Sequence, residues 1–452
     1  RAIAAEFDGA LEVEGHLADP HDVVRYRSHR RIACVGPDRV RQDWTTWTEG
    51  DSTRSVETTL LIGDRVLRRD EASSPFHELA GRDAVEAART VRAALPALLY
   101  AEARARDVAE VRGGRGVAFS WADARGQVWT VSSRRDGTPL MLGADRADPW
   151  RGDLDQRFVY RGGSRVDGVW WPDSLSSQGF PRDYSWRMEE RRAPASVAPP
   201  LADLATPERV VSDTNAAALD SVPRVERIAD RVWSIDLPDI DTRSLVLEFG
   251  DHLAVLETGL DVDHGEALRA AIRARVSRKP IRLVSFGHHH PHYTGGLRAF
   301  LADSATVVCA GRNAAYVREI AHLRFTRAPD RLERRHHGRF EPVIDTLDAS
   351  RWSHADELNQ LEILDIGPAS NHTSAYLVFY LPRAKLLFEG DLGYFTTDGQ
   401  LRASRRCEGM MQAVAAAGFD VERVVQGWPV NGNPPSVSAV ELRALIAARS
   451  KK

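Results

Sequence analysis

Leu283-Val284-Ser285-Phe286-Gly287-His288-His289-His290-Pro291-His292-Tyr293-Thr294-Gly295-Gly296-Leu297-Arg298-Ala299-Phe300 places four histidines within five positions, after an apolar run and before two glycines and a helix-like segment. On an extended or turning backbone His288 and His290 point to the same side, so two imidazoles can share one ion. Pro291 fixes the backbone ahead of His292. Gly295 and Gly296 permit a tight turn into the helix and leave room for a ligand or metal close to the backbone. A histidine-rich loop can also be solvated surface. Lying between a buried strand and a helix start, this one reads as a site.

The flanking sequence reads as strands at 232–235, 244–249 and 253–258 in hairpin order, a helix at 263–276, a buried strand at 281–286 and a helix at 296–302. Such a succession of strands and helices predicts an α/β sandwich. Further pieces follow in order. Upstream stands Leu253-Ala254-Val255-Leu256-Glu257-Thr258-Gly259. Downstream come Gly367-Pro368-Ala369-Ser370-Asn371-His372, then Leu386-Leu387-Phe388-Glu389-Gly390-Asp391, then Val424-Val425-Gln426-Gly427-Trp428. The series resembles the metallo-β-lactamase superfamily, whose signature is His-x-His-x-Asp-His-x-Gly-Gly at a strand end. It covers about residues 224 to 445. The resemblance implies an αββα sandwich. It also implies a first metal held by His288, His290 and His372, zinc being the first expectation.

The departures from the family matter as much. Its second metal uses the motif Asp and His, a bridging Asp and a final His. Of those positions only Asp391 keeps its residue, because His292, Tyr293 and Trp428 stand at the others. One firmly bound metal is therefore expected, with a weak second ion through His292, Tyr293 and Asp391 left open. A dinuclear hydrolase holds its hydroxide between two cations, and that arrangement is lost here. Three chemistries remain. A mononuclear zinc hydrolase acting on an ester, lactone or related small molecule would use His292 or Asp391 as base and Tyr293 as oxyanion donor. A mononuclear Fe(II) oxygenase would use a His288/His372/Asp391 triad, similar to the persulfide-dioxygenase branch of the superfamily. The third possibility is a non-catalytic binding module.

The N-terminal half is written differently. Eight of eleven tryptophans fall between Trp44 and Trp186, whereas eleven of fifteen histidines fall from His252 onward. Alternating segments at 43–48, 55–62, 116–121, 127–132 and 157–160, separated by Gly and Asp turns, predict a curved antiparallel sheet. A helical stretch at 83–108, kinked or split at Pro96, packs against it. The pattern is similar to lipoprotein-carrier-like domains. The tryptophans read as core packing, with a hydrophobic ligand groove as the alternative. The expected organisation is thus a β-rich domain at 1–190, a Pro- and Ala-rich linker at 191–222 and the metal domain at 223–452.

Composition excludes several classes. A formal net charge of −3 over 452 residues gives no footprint for nucleic acid or an anionic membrane. Cys34, Cys309 and Cys407 are scattered, so neither a disulfide framework nor a thiolate zinc site is expected. No apolar run reaches 18 residues, so no membrane span is expected. The expected partner is a small-molecule substrate, with homo-oligomerisation open. The chain begins at Arg1 rather than Met, which leaves a removed signal peptide, and so cytoplasmic or exported location, undecided. Three smaller features complete the reading. The basic run 334–340 is a solvated loop or an anion-binding flap. Cys309 is a strand-core cysteine. Asn371 is a turn residue or an outer-shell partner of His372.

Overall fold

The apolar–polar alternation of the N-terminal half forms one large, mainly antiparallel sheet of fourteen strands. The computed structural model describes residues 2–14, 17–36, 38–96, 109–111, 117–122, 128–166, 168–179, 186–194, 201–207, 209–211, 222–347, 349–395, 401–402, 404–434 and 436–449. The chain divides into two compact units. The first comprises Arg1–Glu14, Val23–Arg146 and Leu154–Ala217; the second comprises Gly15–Asp22, Ala147–Asp153 and Ala218–Lys452.

In the first unit Ile3–Glu14 pairs antiparallel with Val23–Cys34 on one side and Trp186–Arg192 on the other. The helix Gly81–Ala94 contributes Ala84, Ala88 and Val91 to a core shared with Phe7, Ile32, Trp129 and Trp171. Those residues come from strands far apart in the sheet order, so the sheet must curve around the helix. Tyr160 donates its hydroxyl to Ala93 O at 2.6 Å, fixing the helix's last turn. The helix stops at Ala94, with Leu95 at φ −124°, ψ 81°, as steric conflict with Pro96 requires of the preceding residue. The remainder of the expected helix, 97–108, lies outside the described residues, as does most of the expected linker. Trp121, Trp129 and Trp171 are buried in the core. A cavity of about 560 Å³ in this unit is lined by Asp8, Arg27, Trp47, Arg161 and Glu190 among others. Its charged lining does not suit an apolar ligand.

The second unit is a four-layer αββα sandwich. One sheet runs, in spatial order, from Arg224–Ala229 through Val232–Leu237, Thr242–Glu248, Leu253–Leu256, Ile281–Ser285 and Thr306–Cys309 to Ile344–Thr346. The other runs from Arg351–Ala355 through Gln360–Asp365, Leu377–Leu381, Leu386–Glu389 and Arg423–Gln426 to Val437–Ser438. Period-two alternation builds the layers. Leu245, Leu247, Ala254 and Leu256 face the opposite sheet's Leu377, Phe379, Leu386 and Phe388. The intervening Val246, Leu253 and Val255 face outward, onto Leu268 and Ile272 of the helix Val262–Arg275. On the other side Val378 and Leu387 face Met410 and Val414 of the helix Arg405–Ala416. Among the described residues no helix is long and apolar enough to cross a membrane.

Candidate metal centre

Three loops at strand ends build the site. The histidine loop leaves the strand Ile281–Ser285, and a short helix, Pro291–Thr294, begins immediately after His290. Pro291 occupies its first position, where a missing N–H costs nothing. Gly295 and Gly296 are required, but not for a bound ion. Both have negative φ, and a Cβ on Gly295 would lie 1.7 Å from Leu260 O, one on Gly296 2.0 Å from Thr258 O. The space expected for a ligand is filled by the chain's own backbone, which packs the loop against the strand end and helix start. The second loop carries His372. Ser370 Oγ accepts from the backbone N–H groups of His372 (3.1 Å) and Thr373 (3.2 Å), closing a tight turn. Asn371 sits there in the left-handed region at φ 52°, which an Asn tolerates well. Its place is the turn. The third loop follows the strand Leu386–Glu389 and carries Asp391.

These loops bring His288, His290 and His372 together, with one ring nitrogen from each within 4.8 Å of the others. Two are buried; the His372 side chain is 11% exposed. His288 Nε2 and His290 Nδ1 face each other at 2.9 Å. His290 Nε2 lies 3.3 Å from Leu17 O, within the same unit. A carbonyl only accepts, so this contact places the proton on Nε2 and leaves the Nδ1 lone pair directed at His288. Three imidazoles converging on one point suit a borderline divalent cation, which would replace the proton that two facing nitrogens otherwise share. The residues fit a single metal.

Asp391 stands beside this set. Its Oδ2 is 3.2 Å from His372 Nε2 and 3.6 Å from Arg406 Nη1, and Oδ1 accepts from the Tyr376 hydroxyl at 2.8 Å. The same hydroxyl accepts from Asp391 N at 2.9 Å. Burial pushes the Asp391 carboxyl up, but His372, Tyr376 and Arg406 outweigh it and hold it below the usual range. Behind it lie two buried carboxyls with the opposite fate. Burial drives Glu257 well above its ordinary range, helped by Asp391 and Glu389 and opposed by the Gly287 N–H. Burial likewise raises Glu389 to about 8. Tyr293 is buried and its phenol is pushed far up, first by burial and then by Asp391, so it stays protonated. Its ring centroid lies 4.6 Å from that of His288. His292, partly exposed, lies on the short helix, its ring 6.1 Å from Tyr293 and 6.5 Å from Trp428. Trp428 is 40% exposed, and its backbone N–H donates to Gly390 O at 2.9 Å.

Sequence reasoning missed Leu17, Tyr376 and Arg406. A backbone carbonyl carries no residue signature, and Tyr376 reads as one more apolar position leading into a buried strand. Arg406 hides among many arginines. The basic run 334–340 goes elsewhere: Arg334 donates to Pro329 O, Arg335 to Ala302 O, and His336 packs on Phe340 at 4.8 Å. Cys309 is fully buried at the end of its strand.

Residues 238–436 match the metallo-β-lactamase superfamily, and this part of the chain is a domain of that superfamily. Similar solved structures include a metallo-β-lactamase from Pontibacter korlensis, at 18% identity and a TM-score of 0.37, covering 51% of this chain and 100% of that one. Another is the metallo-β-lactamase FIM-1 from Pseudomonas aeruginosa in its mono-zinc form, at 18% identity and a TM-score of 0.38, covering 52% of this chain and 96% of that one. No curated protein matches the chain.

Proposed function

We propose that the C-terminal domain is a metal-dependent hydrolase with a single metal position, acting on an ester, lactone or related small molecule. The observation that carries this reading is the convergence of His288, His290 and His372, with Asp391 beside the set rather than within it. A zinc ion held there by His288, His290 and His372 would supply Lewis-acid activation of water and of a carbonyl at neutral pH. The chain's own groups do the rest. Asp391, kept ionised, can hold and accept a proton next to His372, with its orientation fixed by Tyr376. His292, at the more open edge, is the alternative base. Tyr293, kept neutral by burial, can donate to a developing oxyanion.

A second reading has its own support. Asp391 Oδ2 lies close enough to His372 Nε2 for His288, His372 and Asp391 to serve as a two-histidine, one-carboxylate set for Fe(II). Metal exchange separates the two. On the hydrolase reading, the zinc-loaded protein turns over a generic ester or lactone without oxygen, and Asp391→Asn retains most of the zinc. On the oxygenase reading, activity requires Fe(II) and dioxygen, and Asp391→Asn eliminates iron binding. Equal loss of both metals in Asp391→Asn would remove the ground for preferring a three-histidine zinc site.

A further inference from the structure

The second metal position of the superfamily depends on a carboxylate, here Asp391, facing a cation on its open side. Among the described residues a guanidinium approaches this carboxylate. Arg406, at the start of the helix Arg405–Ala416, brings Nη1 to 3.6 Å from Asp391 Oδ2, the oxygen that also faces His372. The approach is long and through one nitrogen, not the bidentate fork of a closed Arg–carboxylate pair. Among the described residues Arg406 makes no hydrogen bond, and its side chain is 33% exposed. A guanidinium carries five N–H donors in a fixed plane, so the described residues leave most of this one's capacity unused. By contrast, Arg243, Arg298 and Arg331 each spend theirs on carboxylates and carbonyls within the fold. Trp428, 40% exposed and joined to Gly390 O through its backbone N–H, offers an indole that binds no metal.

We infer that Arg406 stands in for the missing second cation and binds an oxyanion, the carboxylate or phosphate-type group of a substrate or product, beside the metal held by the three histidines. The inference rests on the single-metal reading for what lies next to that oxyanion. It assigns the domain an anionic small-molecule ligand. Arg406 would hold it by charge-assisted hydrogen bonds, while Asp391, directed at His372 and Tyr376, keeps the guanidinium aimed at the site.

Phosphate titrated calorimetrically into the zinc-loaded full chain tests this, with acetate as the carboxylate arm. Wild type, Arg406→Gln and Arg406→Lys are compared at equal zinc content, and the metal-free forms are titrated in parallel. Arg406→Gln is expected to weaken oxyanion binding about tenfold or more, the usual weight of a hydrogen bond to a charged group, with Arg406→Lys intermediate. The arm that binds more tightly identifies the oxyanion type. A guanidinium serving only as a structural counter-charge to Asp391 would lower thermal stability or zinc retention without changing phosphate or acetate affinity. Equal affinities in wild type and Arg406→Gln would overturn the inference. Failure of the single-metal reading would appear separately, as the wrong zinc content in the wild type. Should Arg406→Gln not fold, Arg406→Lys carries the test. An affinity unchanged from wild type in both zinc-loaded and metal-free forms would overturn the inference equally.

Discussion

His288→Ala and His372→Ala are each expected to leave the protein with little retained metal, whereas Trp428→Ala keeps it. Each histidine supplies one of three converging nitrogens, so its loss takes away a direct ligand. The effect should exceed the roughly 10–100-fold cost of disturbing an outer-shell partner. Trp428 stands where the superfamily places its last histidine, but an indole is a donor only and cannot ligate. Metal content after dialysis against a chelator reads the difference. Retention in both histidine variants together with loss in Trp428→Ala would mean that the motif series has been placed on the wrong residues.

Arg298→Ala is expected to be the most destabilising single change near the site. Arg298 is 1% exposed and its partner Asp330 is 4% exposed, with Nε to Oδ2 at 2.6 Å. Its Nη1 also donates to the carbonyls of Ile320, Ala321 and Leu323, each at 2.9 Å, satisfying the end of the helix Ala314–His322. Asp330 in turn caps the helix Arg331–His336 by accepting from Glu333 N. Removing the guanidinium strands a buried carboxylate and three carbonyls, a loss of about 3–5 kcal/mol. Urea unfolding of Arg298→Ala against wild type measures it. A loss below about 1 kcal/mol, the usual worth of an exposed pair, would show that the arginine is not buried as described.

Much of the sandwich was legible because its signals are periodic and local. Strand 232–235 grows only to Leu237, and the expected helix at 263–276 is the helix Val262–Arg275. The ordered motif series singled out His288, His290, His372 and Asp391 because readable apolar strands flank their loops, and the three histidines do come together. The glycines were read correctly as points of close approach but with the wrong neighbour. Spacing cannot tell whether a metal or Leu260's carbonyl fills the gap. In the first unit the two longest strands, Ile3–Glu14 and Val23–Cys34, escaped notice because charged residues interrupt their alternation. The burial of Arg30 against Glu190 shows why: a buried ion pair occupies positions where sequence pattern expects apolar side chains. The Leu17 and Arg406 contacts are set by tertiary placement, Leu17 from 273 residues away, and no local pattern encodes them.

On the proposed reading His288, His290 and His372 hold one metal ion, and His292, Tyr293 and Trp428 leave the second position without its ligands. Elemental analysis of the purified full chain, after brief chelator treatment and desalting, tests this directly. One metal ion per chain is the expected result. Two ions per chain, both lost only slowly to chelator, would show that His292, Tyr293 and Asp391 rebuild the second position, and no retained metal at all would contradict the three-histidine centre itself.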